Sequence, residues 1–116
     1  MNFLTAHSLA ETTPLAAQQV TERLHAQSSH VPSLLLVYFT QAHEAAELRR
    51  ALKARFPDTR LIGCSSCGGI LTQDGHHGRH GWSLSVAALY DDKGAYGVAG
   101  QIGDQPDVRA LLAIEL

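Results

Sequence analysis

Ser33-Leu34-Leu35-Leu36-Val37-Tyr38-Phe39 is a nearly unbroken apolar run, entered through Val31-Pro32. A run of this length between turn residues reads as a strand buried on both faces, as in a parallel sheet. Thr40 is placed to cap the helix that follows. In that helix Ala45, Leu48, Leu52 and Phe56 form one apolar stripe, while Glu44, Glu47, Arg49, Arg50 and Lys53 lie mostly on the wet side. Arg49, Arg50, Lys53 and Arg55 crowd its C-terminal half, which suits the helix dipole, and Pro57 stops it. Thr59-Arg60-Leu61-Ile62-Gly63 is then a second short strand. Strand, helix and strand at this spacing make a βαβ unit, so the two strands are parallel.

Upstream, Thr13 reads as an N-cap and Pro14 as the first helical residue. Ala16, Val20 and Leu24 recur every four residues among polar Gln18, Gln19, Glu22 and Arg23, an amphipathic helix over residues 14–27. Phe3 to His7 is a short edge strand. Downstream, Trp82, Leu84, Val86, Ala88 and Tyr90 alternate with Ser83, Ser85, Ala87 and Leu89, a strand with one more polar face. Asp91-Asp92-Lys93-Gly94 is a turn, after which Tyr96, Val98 and Ile102 continue as a hairpin partner. Pro106 opens a short apolar helix from Val108 to Ile114. The expected fold is α/β, with a mixed sheet of about five strands, a βαβ unit, two long helices and a short C-terminal helix.

With 116 residues the chain makes one domain, residues 1–116, of near-average apolar content at 45%. Nine Lys and Arg against eleven Asp and Glu leave a net charge of −2, so bulk electrostatics draws in neither nucleic acid nor an anionic membrane. No apolar stretch approaches the roughly 18 residues of a membrane span. Met1 to His7 lacks the basic and apolar regions of a signal peptide. Two cysteines without an export signal point to a reducing, cytoplasmic location.

Between Gly63 and Gly81 the composition changes: these nineteen residues hold six of the ten glycines, both cysteines and three of the seven histidines. The segment begins at the carboxyl end of a parallel strand, where ligands of open α/β sheets bind. In Gly63-Cys64-Ser65-Ser66-Cys67-Gly68 the small residues let backbone N–H groups approach a ligand, and successive N–H groups hold an anion such as a carboxylate or phosphate. A Gly-rich turn that binds nothing accounts for the same residues. Cys64 and Cys67 form a C-x-x-C, but Gly68-Gly69 make a poor first turn for the helix a thioredoxin-like thiol requires. Cys67 also spoils a G-x-S-x-G nucleophile elbow around Ser65. Cys64, Cys67, His76 and His80 have zinc-like end spacings, with a middle gap of eight residues against the usual 12–15 or so. The same histidines fit a polar loop. His43, just after the apolar strand, is placed either to line a pocket or hold a haem iron, or to serve as a helix-end polar group.

The order of these segments resembles the N-terminal part of FIST domains, sensory domains of bacterial signal-transduction proteins. The resemblance rests on Pro32-Ser33-Leu34-Leu35-Leu36-Val37-Tyr38-Phe39, on Leu61-Ile62-Gly63-Cys64-Ser65-Ser66-Cys67-Gly68-Gly69-Ile70, on Asp74-Gly75 and on Ser83 to Leu89. Ser66, Cys67 and Gly69 stand where the family pattern has Thr, Ala and Glu. The resemblance implies the first portion of such a module, a non-enzymatic sensor of a small ligand such as an amino acid or related metabolite. It implies a signalling partner such as a kinase or cyclase, and in some members a haem. A haem- or zinc-binding sensor, and an interaction scaffold that forms a homodimer, are the alternatives.

Overall fold

The computed structural model describes residues 1–77 and 81–100. Strand β1 (Asn2–Ser8) leads to helix α1 (Thr13–Gln27), strand β2 (Leu34–Thr40), helix α2 (Ala45–Arg55) and strand β3 (Arg60–Ser66). A small hairpin, β4 (Ile70–Thr72) and β5 (Gly75–His77), precedes strand β6 (Leu84–Tyr90). The main sheet has the order β1-β6-β2-β3, and β4 and β5 make a second sheet of two strands. β2 and β3 run parallel from Leu34↔Arg60 to Thr40↔Ser66, as the βαβ reading requires. β6 runs antiparallel to both neighbours, pairing Asn2↔Tyr90 in β1 and Leu34↔Leu89 in β2. This is the expected mixed sheet and helix pair, with four strands in the sheet among the described residues where about five were expected.

The missing strand has a physical explanation. β6 is paired on both sides, so no edge remains for a hairpin partner. The Asp91 carboxylate accepts from the N–H groups of Lys93 and Gly94 and from the Tyr96 hydroxyl, turning the chain aside. Arg60 Nε then donates to Tyr96 O beside the start of β3. Residues 95–100 form no strand. Ile102 and the helix expected from Val108 to Ile114 lie outside the described residues.

The helix caps also differ from expectation. Thr12 caps α1, its side chain accepting from Leu15 N, so Pro14 is the second helical residue. Glu44 caps α2, accepting from Ala46 N and Glu47 N. Thr40 instead ends β2, donating its hydroxyl to Gly81 O and accepting from Ser83 N. The three-residue link Gln41-Ala42-His43 supplies the space a strand-to-helix reversal needs.

Connections β1-α1-β2 and β2-α2-β3 move the same way across the sheet. Crossovers of the usual right hand therefore place both helices on one face. Ala16, Ala17, Val20 and Leu24 of α1 and Leu48 and Leu52 of α2 share one core with Leu35, Val37, Val86 and Ala88. Each fully buried leucine there is worth roughly 1.5–3 kcal/mol relative to an exposed one. No helix among the described residues covers the other face. β2 is consequently not buried on both faces: Leu35 and Val37 point into the core, but Tyr38 is 41% exposed. Phe3 and Ile62 also stand out on that face. The β4–β5 hairpin lies by one end of it, held by the Gln73 carboxamide on the Thr5 hydroxyl and by stacking of His77 on His7 at 3.9 Å.

Gly63 sits level with Val37 across the parallel pair, and a Cβ there would strike the Val37 backbone. At Gly68 a Cβ would meet nothing within 4 Å. Gly63→Ala should therefore lose about 1–3 kcal/mol of stability in urea unfolding, the usual range for overpacking. Gly68→Ala should stay within about 0.5 kcal/mol of the parent, as surface substitutions do. Equal losses at the two positions would contradict this register.

Candidate functional site

β3 runs three residues further than its sequence suggests, to Ser66, because Gly63, Cys64, Ser65 and Ser66 continue the ladder against Val37 to Thr40. Four of the six predicted site residues are thus strand residues, and the turn proper is Cys67-Gly68-Gly69. Cys64 and Ser65 are exposed on opposite faces of the strand end. Ser66 donates its hydroxyl to Gly69 O at 2.7 Å, closing the turn. Cys67 is exposed, and its Sγ accepts from Gln41 Nε2 at 3.4 Å, which ties the end of β3 to the link after β2. His76 Nε2 donates to Gly68 O at 2.8 Å.

The corner is asymmetric in its hydrogen bonding. The carbonyls of Gly68 and Gly69 are occupied by His76 and Ser66. The N–H groups of Cys67 and Gly68 have no acceptor among the described residues. Two carbonyls of the turn are engaged while two successive amide donors have no acceptor, a polarity that suits an anion. Gly69 has φ +100, and a Cβ there would strike His77 O, so its departure from the family's glutamate is also a steric fit to the hairpin. Gln41 and His76 complete this corner, and neither was marked for it by sequence. The signal was topological: Gln41 follows the adjacent parallel strand, and the Asp74-Gly75 turn folds His76 back.

His43 belongs to a different place. It is 2% exposed, and its Nδ1 shares a 2.8 Å hydrogen bond with the Thr13 hydroxyl. Its ring meets Trp82 edge-on at 5.0 Å. Nε2, the atom that would hold a haem iron, is enclosed and has no hydrogen-bond partner. Of the zinc-type set, Cys64 and Cys67 are free thiols, His76 bonds to Gly68 O, and His80 lies outside the described residues. Among the described residues no three His, Cys, Asp or Glu side chains converge as metal ligands. Near the corner, an open groove of about 240 Å³ runs between α2 and β3. Its walls include Phe39, Leu48, Arg49, Leu52, Leu61 and Gly63.

The family model for the FIST N domain matches residues 33–113, from β2 through the corner and β6 and beyond. The chain belongs to the FIST N family. FIST domains are sensory domains in signal transduction, so the chain is a sensory module by family. No curated protein matches its sequence significantly. No helix among the described residues is long and apolar enough to cross a membrane.

Burial lowers the pKa of His43, with Glu47 opposing. His7 is lowered too, first by burial, then by His77 and Arg23, with Asp74 at 3.9 Å opposing. Both take up protons more readily in the unfolded chain, whose value is about 6.5. The stability they contribute is complete above that pH and is lost as pH falls through the lowered folded values. The urea midpoint of this FIST N domain should therefore fall between pH 7.5 and pH 5. His43→Gln should be less stable at pH 7.5 and lose less on acidification; an identical pH loss in the variant would contradict the assignment.

Proposed function

We propose that this FIST N domain is a non-enzymatic receptor for a small anionic metabolite, an amino acid or a close relative. The ligand's carboxylate binds at the Gly63–Gly68 end of β3, on the N–H groups of Cys67 and Gly68. The Ser65 hydroxyl is free to add a bond, and Ser66 shapes the turn. The observation that carries this reading is the turn's imbalance: the carbonyls of Gly68 and Gly69 are engaged from within, while the N–H groups of Cys67 and Gly68 have no acceptor among the described residues. Its position beyond the carboxyl ends of adjacent parallel strands agrees with the general rule for open α/β sheets. Binding is passed to a partner such as a kinase or cyclase, in the cytoplasm, where two exposed free thiols remain reduced.

The test is titration of isotope-labelled protein with a panel of amino acids and short carboxylates, followed by amide resonances. A binder should shift Cys67 and Gly68 most. Ser65→Asp, which sets a negative charge beside the site, should weaken it at least tenfold. A tight binder whose largest shifts lie away from residues 64–68, or one indifferent to Ser65→Asp, would refute the placement.

A further inference from the structure

The two edges of the main sheet are treated differently. On β1, the Arg23 guanidinium donates to His7 O and Gln27 Nε2 donates to Thr5 O at 3.1 Å. Side chains of α1 thereby occupy the outward carbonyls and block strand addition. On β3, Arg60 is tied to Tyr96 O at the strand's start, but from Ile62 to Ser65 the edge is exposed, and among the described residues no strand pairs with its outer side. From Leu61 to Ser66 it carries no charged side chain, proline or bulge, the usual guards of an edge. Beside it lies the apolar groove under α2.

Charge decides what fits there. Arg49 lines the groove, and Lys53, one turn on, donates to Pro57 O and Thr59 O just before β3. The acids of α2 are elsewhere: Glu44 is spent on the helix cap, and Glu47 acts on His43. Asp58 lies in the link before β3, outside the groove, so Arg49 is the charged residue of the groove's lining and makes that wall positive. A second copy joined by antiparallel pairing about Gly63 would bring Arg49 of one chain toward Arg49 of the other, which disfavours self-association.

We propose that the outer edge of β3 is a docking edge for an extended, acidic segment of a partner protein. That segment adds as a fifth strand, its backbone pairing with residues 61–66 and its apolar side chains entering the groove. A carboxylate on it pairs with Arg49. Strand addition with specificity from flanking pockets is an established mode of peptide recognition. This edge shares Gly63 to Ser66 with the anion corner, but the proposal rests on the unpaired outer side of β3 and not on the amides of Cys67 and Gly68.

The experiment uses the whole chain at millimolar concentrations of two seven-residue peptides, one alternating valine with glutamate and one alternating valine with lysine. The glutamate peptide should slow hydrogen exchange of amides within Leu61 to Ser66 and bind at least fivefold less tightly in 0.5 M salt. Arg49→Glu, an exposed substitution compatible with folding, should lose the glutamate peptide and gain the lysine one. The proposal is overturned if neither peptide protects these amides, if both peptides bind the parent alike, or if the parent is already a dimer with these amides protected.

Discussion

Gly63 lies so close to the Val37 backbone that no side chain fits between them. On that contact depends the parallel register of β2 and β3, and on the register depends nearly everything else. It places Phe39 beside Ser65 and Thr40 beside Ser66, so that both strands end together and open a common corner. It also requires a crossover helix, and the two crossovers share a hand. Both helices consequently pack on one face, and among the described residues no helix covers the other face or the β3 edge.

Much of this was legible in the sequence because it was written as periodicity. Ala16, Val20 and Leu24, and Leu48, Leu52 and Phe56, are buried as their spacing demands. The parallel pair followed from strand, helix and strand at the right lengths. What misled were features set by the third dimension. Thr40 resembles a cap but is drawn into a knot of hydrogen bonds with Gly81 and Ser83. Leu34 to Phe39 resembles a doubly buried strand, yet only the alternate residues Leu35 and Val37 are fully covered. Tyr96 and Val98 look like a hairpin strand, but β6 had already spent both its edges.

The candidate site was half legible. Small residues after a parallel strand marked the end of β3, and the structure does place a turn there. That Cys64 to Ser66 would continue the ladder was hidden, because serine argues against strand by propensity and only pairing with β2 overrides it. The contributions of Gln41 and His76 come from segments 26 and 8 residues away from their partners, beyond any local pattern. The burial of His43 between Thr13 and Trp82 is of the same kind.

Amide hydrogen exchange on the unliganded protein measures the corner's open donors most directly. The amides of Cys67 and Gly68 should exchange at close to unprotected rates, while those of Leu35 and Val37 in the same molecule are slowed by several orders of magnitude. Strong protection at Cys67 and Gly68 would mean that their N–H groups already have acceptors, and the corner would have nothing left with which to hold an anion.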